Sequence, residues 1–535
     1  MKKKLILSIM LITGLQAGAS QLNDTLVWSG AIDLFEDVYL NEQTTLVINP
    51  GTVVTIHNQS KIQTFGDVLA HGELNNKIYF TTTDTLGLTD TATISGGWKG
   101  IHLLNNPNGK AVFKNCVFKY GKANVPGSWH TFQYNTDTVS ANRGGAMRVL
   151  DYGSIEIDSC SFLFNFSRTR GGGLYCDNVH KVTISNSLFQ NNKTLAFGGA
   201  IYSNDHDSLF AINNLLINNV AYSSYSNAKS PLTQYNGDGS AMYISNTWPG
   251  LSYCLASYNR IHNNISLRAV FFLAEEVHFF NNIMTNNYNI RTLQFSRLPS
   301  TNRVYNNTIA NNWFDAILPG VYTVSEDIIF YNNILWNNFS NTNDDDVIKW
   351  HYHEPILFHN LIWKGLAPGG PMITDDPLFV NPAPDYGLAN NGWEYNWSLQ
   401  DISPAINRGT PDTTGLHIPP YDLNGNPRIF GGRIDMGAYE NQNVWISLPD
   451  NPFVNARLTA TPNPFRNGFV VELQGLDKVK RMTVYNQSGT PLRQMETLLH
   501  GGLINMDMSG FSSGLYVLVV EYENGTVKTE KMVKL

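Results

Sequence analysis

One short unit, repeated at a nearly constant spacing, constrains this chain more than any other feature. It reads Asn281-Asn282-Ile283-Met284-Thr285-Asn286-Asn287, then Asn306-Asn307-Thr308-Ile309-Ala310-Asn311-Asn312, then Asn332-Asn333-Ile334-Leu335-Trp336-Asn337-Asn338. The first residues lie 25 and 26 positions apart. A fixed period of this size marks a solenoid, in which each repeat buries its apolar side only against its neighbours. Looser copies start at Asn115, Ser159, Asn186, Asn213, Tyr258 and His359, so the successive steps are 44, 27, 27, 45, 23, 25, 26 and 27. Such a period suits one coil of a parallel β-helix. The two long steps then read as single coils carrying insertions.

The columns within the repeat are those of strands. The third residue after each start is Phe118, Phe162, Phe189, Leu216, Ile261, Met284, Ile309, Leu335 and Ile362. Two residues before each start stand Phe113, Ile157, Ile184, Ala211, Ala256, Phe279, Val304, Phe330 and Leu357. Period-2 alternation over short runs, punctuated by Asn and Gly, is the strand-and-turn pattern. One residue after the start the column reads Cys116, Cys160, Ser187, Asn214, Asn259, Asn282, Asn307, Asn333 and Asn360. Identical amides on stacked coils can bond to one another along the axis, satisfying polar groups that burial would otherwise penalise. A structural ladder is therefore expected, with an Asn-rich sugar site as the alternative. Cys116 and Cys160 share that inward column and read as a stack of buried thiols; strand spacing also leaves a bridge geometrically conceivable.

A second column belongs to the middle coils: Gly144-Gly145, Gly171-Gly172, Gly198-Gly199 and Gly239-Ser240, each followed by an apolar pair. These read as sharp corners. Both insertions, roughly 121–143 and 221–238, interrupt their coils between the Asn turn and this Gly pair, whereas the two coils between them keep the corner short. Two tall loops flanking two low corners would form a trough, and long loops on a rigid scaffold carry function. Its walls would hold Trp129, His130, Phe132 and Tyr134 on one side and Tyr222, Tyr225 and Tyr235 on the other. Its floor would offer Arg143, Arg168, Arg170 and Lys193. Aromatic faces with cationic groups suit an acidic polysaccharide. The competing reading folds the aromatics onto the coil and leaves the cations in water.

Composition narrows the class. Charged residues make up 15% and aromatics 12%, the balance of an extracellular β-protein. A net charge of -7 over 535 residues argues against a nucleic-acid partner. Lys2-Lys3-Lys4, the apolar run Leu5 to Leu15 and Ala17-Gly18-Ala19 have the form of a secretory signal over residues 1–19. No segment is long and apolar enough to span a membrane as a helix.

The strand-turn succession from Asp24 to Leu104 and the Gly-pair coils resemble right-handed parallel β-helix proteins of the pectate-lyase-like superfamily. An all-β fold follows: a right-handed parallel β-helix solenoid over 20–440, then a small antiparallel β-sandwich. Residues 21–45 are expected to cap the first coil. From Pro368 the blocks Asp375-Asp376-Pro377-Leu378, Ser403-Pro404-Ala405, Asp422-Leu423-Asn424-Gly425-Asn426 and Asp435-Met436-Gly437 resemble the closing segment of secreted bacterial β-helix proteins, expected here as a C-terminal cap. Arg428 is expected to pin it by pairing with Asp435. After a linker at 441–458, Thr461-Pro462-Asn463-Pro464-Phe465, Val484-Tyr485-Asn486-Gln487-Ser488-Gly489 and Gly514-Leu515-Tyr516-Val517-Leu518-Val519 resemble the type A C-terminal sorting domain of the type IX secretion system. Over 459–535 the pattern reads as a sandwich of about seven short strands. The resemblance implies engagement of the type IX secretion machinery, export across the outer membrane and release or surface attachment, with the domain cleaved afterwards.

A monomeric, surface-displayed or secreted protein is expected, binding or processing a polysaccharide or cell-surface glycan in the trough. A lyase or glycoside hydrolase would use Arg168 or Arg170 near the sugar acid and His130 as base. A non-enzymatic adhesin or surface structural protein is the alternative, and fold alone cannot choose. No cofactor is certain. Ca²⁺ is considered at Asp344-Asp345-Asp346 and at Asp422, Asn424 and Asn426, whose spacing matches only part of a calcium loop.

Overall fold

The computed structural model describes residues 24–126, 141–222, 237–246, 252–296, 302–314, 321–323, 328–340, 348–350, 355–362, 372–443, 457–522 and 527–535. The chain divides into two compact units, Met1–Asn443 and Val444–Leu535. Among the described residues no helix is long and apolar enough to cross a membrane.

The first unit is a parallel β-solenoid. Its described strands form a 13-stranded and a 26-stranded sheet wound around one core. A typical coil runs Leu174–Ser185, Leu188–Gln190 and Lys193–Thr194. Each piece pairs in parallel with the equivalent piece of the coils on either side. Alternation sends Leu174, Cys176, Val182 and Ile184 into the core. The inward phenylalanine column is a stack: Phe80, Phe118, Phe162 and Phe189 have centroids 5.0, 4.7 and 4.6 Å apart. All four cysteines are buried, free thiols.

The Asn doublets divide their labour. The first Asn of each pair turns the chain in the left-handed region: φ lies between +48° and +56° at Asn281, Asn286, Asn306, Asn311, Asn332 and Asn337. Asn tolerates this conformation better than other non-Gly residues. The second Asn points inward and forms the expected ladder through Asn214, Asn259, Asn282, Asn307, Asn333 and Asn360, each Nδ2 donating to the next Oδ1 at 3.0–3.1 Å. A second ladder, unforeseen in the sequence reading, runs through Asn165, Asn192, Asn219, Asn264, Asn287, Asn312 and Asn338. The same Oδ1 also accepts the backbone N–H of the preceding coil, as from Asn192 to Asn219 at 3.0 Å. Where the first column holds Ser187 and Cys160, their Oγ and Sγ take over that role at 3.0 and 3.4 Å.

The closing segment does not cap an end. Residues 379–438 lie back along the outer face of the 13-stranded sheet, over the coils of the strict repeat. Ile283, Ala310, Ile334 and Leu361 on that face share an apolar cluster with Phe379, Trp397, Leu423 and Met436. The turn asparagines donate to the segment's carbonyls: Asn263 to Asn390, Asn286 to Asp385 and Gly387, Asn311 to Ala383, Asn281 to Tyr421, at 2.7–3.0 Å. Arg428 does pin this segment, but not through the Asp435 carboxylate. It donates to the backbone carbonyls of Asp435 and Gly437 and faces Glu440 at 3.9 Å. The Asp435 carboxylate instead accepts from the backbone of Asn407 and Asn441.

The second unit is antiparallel. Five described strands, Arg457–Thr461, Gly468–Asn486, Pro491–Asp507, Gly514–Tyr522 and Val527–Lys534, replace the expected seven short ones. Gly468–Asn486 continues through register shifts, pairing with Arg457–Thr461 in its first half and Gly514–Tyr522 in its second. Phe469, Val471, Met482, Val484, Leu518 and Met532 form its core.

Candidate functional site

Two rows of paired residues define one long edge of the solenoid. Lys122–Ala123, Phe166–Ser167, Lys193–Thr194 and Val220–Ala221 are in register along the axis. Across the corner, Arg143, Arg170, Phe197 and Asp238 bridge coil to coil. The Gly pairs follow, with φ between +63° and +71° at Gly144, Gly171, Gly198 and Gly239. The second glycines permit the tight stack: a Cβ on Gly145 or Gly172 would sit 2.2 Å from the next coil's glycine carbonyl. The feet of both insertions are thus at one edge, separated by two short corners. Trp129, His130, Phe132, Tyr134, Tyr225 and Tyr235 lie outside the described residues.

A third excursion, missed in the sequence, reaches the same edge one coil earlier. Residues 82–97 loop out after Ile78–Thr81 and return at Trp98, which bridges Gly121. Its signal was a Thr/Asp/Gly-rich gap too long for a turn. Buried Lys122 fastens it by donating from Nζ to the carbonyls of Gly87, Asp90 and Ser95 at 2.7, 3.0 and 2.6 Å. Asn124 donates to Thr91 and Thr93.

The expected floor separates into two groups. Arg168 is buried: its Nη1 donates to the Thr91 carbonyl and Asn124 Oδ1 at 2.9 and 3.1 Å, making it a strut of the third excursion. Burial lowers its pKa from the usual guanidinium value. Arg143 is also buried, donating to the Tyr175 hydroxyl at 2.7 Å, which in turn donates to Asp177 at 2.6 Å. Arg170, Lys193 and Tyr222 are half-buried. The Arg170 guanidinium lies 5.2 Å over the Tyr202 ring and 5.8 Å over Phe197, and Lys193 Nζ lies 4.5 Å over Tyr222. Burial lowers the Lys193 pKa.

Beside the edge the tyrosines that follow the Gly pairs stack on one another. Tyr175, Tyr202, Tyr243 and Phe271 have successive centroids 5.1, 5.3 and 4.7 Å apart. The Arg143 and Arg268 guanidinium groups lie 5.3 and 4.8 Å from the centroids of Tyr175 and Phe271 at the two ends of this stack. Asp238, at the foot of the second insertion, is buried against Arg268; burial raises its pKa to about 6 against the pull of that guanidinium.

Other titratable groups sit elsewhere. His206 is buried between Ser203 and Cys254, with Nε2 3.1 Å from Sγ, and burial pushes the imidazole pKa down and the thiol pKa up. A neutral imidazole beside a protonated thiol is no nucleophile. The Asp422 carboxylate accepts the backbone N–H groups of Asn424, Asn426 and Glu440, so its oxygens build a turn. Asp344-Asp345-Asp346 lies outside the described residues. Among those described, no group of three or more His, Cys, Asp or Glu is arranged to hold a metal ion.

Fold and C-terminal unit together define a secreted parallel β-solenoid. Residues 460–535 match the family model described as Por_Secre_tail, the secretion system C-terminal sorting domain. This domain directs the chain across the outer membrane, to the cell surface or the extracellular space, and implies interaction with the secretion machinery. No curated protein matches the chain.

Proposed function

We propose that this chain is a surface-displayed or released binding protein, and that its ligand is an acidic polysaccharide held along the edge from which the excursions rise. The reading rests on one observation: the feet of both insertions and the 82–97 loop converge on a single edge, beside the half-buried Arg170, Lys193 and Tyr222. Trp129, Tyr134, Tyr225 and Tyr235 would supply ring faces from the walls. Cations held over aromatic rings suit carboxylate or sulfate groups on a sugar chain. Binding is favoured over catalysis because Arg143 and Arg168 already serve internal partners. A lyase or hydrolase reading would therefore lean on Arg170 and His130.

The test passes the purified protein over immobilised pectin, alginate and glycosaminoglycan while following absorbance near the unsaturated-uronate band. Retention that falls at least tenfold in an Arg170→Ala/Lys193→Ala variant, without new absorbance, supports the reading. Rising absorbance would make the protein a lyase. Passage of the intact protein through every column would move the function to the non-enzymatic adhesin.

A further inference from the structure

The closing segment shows how this solenoid holds an extended polypeptide, and its seat continues beyond the segment. One column of left-handed turn residues runs along the 13-stranded sheet as Tyr120, Phe164, Asn191, Asn218, Asn263, Asn286, Asn311 and Asn337. At Asn263, Asn286 and Asn311 the side-chain amides grip the carbonyls of Asn390, Gly387, Asp385 and Ala383, about one grip per coil. At Gly392, whose N–H donates to Asn263 Oδ1 at 2.9 Å, the segment enters a short 3-10 turn. The Asn191 and Asn218 side-chain amides, next along the same column, have no partner among the described residues and are partly exposed.

The flanking surface matches as well. Leu188 and Leu215 are half-buried in the outward column that holds Ile283 and Ile334 beneath the segment. At the far end Phe164 keeps a bulky ring in the left-handed region, φ +55°, and is 44% exposed. Asn would adopt that conformation more readily than an aromatic residue. The ring stacks on Tyr120, with centroids 6.0 Å apart, and still leaves much of its surface open.

We propose that Asn191 and Asn218, with Leu188, Leu215 and Phe164, form a docking row for an extended polypeptide segment of a partner protein. The amides would take its backbone carbonyls and the apolar residues its side chains, as in the covered coils. A polypeptide is favoured over a glycan because the same column, one coil further on, is seen holding one. The row uses other residues than the polysaccharide edge, and the two readings stand or fall separately.

The test uses the full chain and a fluorescent synthetic peptide with the sequence from Phe379 to Trp393, the piece already known to fit this column. Anisotropy should show saturable binding, weakened at least tenfold in Asn191→Gly/Asn218→Gly, which removes the amides but keeps the left-handed turns, and in Leu188→Asp. Both variants should stay folded, checked by their melting curves. No saturable binding, or equal binding to parent and variants, overturns the proposal. Sedimentation showing a dimer broken by the same substitutions would also overturn it, by making a second copy the occupant.

Discussion

At the residue scale, each Asn doublet solves two problems that a closed coil creates. The chain must reverse within one residue, and the inner side of the turn must not bury unpaired polar groups. The first Asn meets the steric demand of the left-handed region and the second meets the hydrogen-bonding demand. Asn287 receives both the backbone N–H and the Nδ2 of Asn264 on one oxygen and passes its own Nδ2 to Asn312. In Asn287→Ala the Asn264 backbone N–H loses its acceptor, and the Ile261 carbonyl and Asn312 Oδ1 lose a donor, in a dry interior. The expected loss is about 2–4 kcal/mol, read as a lower urea midpoint. A surface change such as Asn75→Ala, at an exposed position outside the left-handed region, should leave the midpoint nearly unmoved. Asn287→Asp should be no better than Ala, because an unneutralised charge would enter the ladder.

At the element scale, corners decide where the molecule can carry loops. Gly172 lets two coils approach until a side chain would strike the Gly199 carbonyl, and backbone on both sides prevents relief. Gly172→Ala should therefore cost roughly 3 kcal/mol, seen as a fall in melting temperature. The same methyl group at Gly510, where nothing lies within 4 Å, should cost little. The 26-stranded sheet passes this corner through strands of two residues, so insertions there interrupt little pairing. The closing segment is a different element, irregular and polar, with apolar residues spaced to meet the outward column of the sheet. It lies over the coils whose doublets are strictest, and there Asn281, Asn286, Asn311 and Asn332 have a partner in the segment as well as a role in the backbone.

At the scale of the whole molecule, burial sets the pH response. His102, His206 and His262 are enclosed, and burial lowers their pKa values to about 3, about 4 and about 3. Each stays neutral in the folded chain but protonates near pH 6.5 when unfolded, so stability is present above that value and is lost as pH falls toward 4. By pH 5 each has cost about 2 kcal/mol of stability relative to neutral pH. Asp238, with its pKa raised to about 6, acts in the opposite direction: its contribution is present below the ordinary carboxyl range and is lost as pH rises through 6. Asp435 and Glu440, raised by burial to about 6 and about 8, act as Asp238 does, and the expected slope is the difference. Melting temperature followed from pH 7 to pH 4 should fall, and should fall less steeply in His262→Gln, which keeps a partner for Thr285 Oγ1 without the ring.

Periodicity disclosed the solenoid, one Asn ladder, the Gly corners and the shared edge of the insertions, because each depends on residues that recur in a column. The P-N-P-F and G-L-Y-V-L-V blocks disclosed the sorting domain for the same local reason. The sequence could not rank the cations at the edge. Arg143 and Arg168 look like Arg170 in the chain, yet these two lie under structure brought from 77 residues away or from the next coil, and only packing distinguishes them. The partner of Arg428 was misjudged for a similar reason, since several acids stand nearby and geometry chose Glu440 and two carbonyls.

The sequence by itself determined the coil, its period and its destination, since short-range alternation, turn stereochemistry and a terminal signal act within a few dozen residues. Only the tertiary structure decided that the closing segment lies along a flank and that a third loop joins the edge. It alone also showed which charged groups remain near solvent, because each of these depends on which distant surface is left to cover once the coils have stacked.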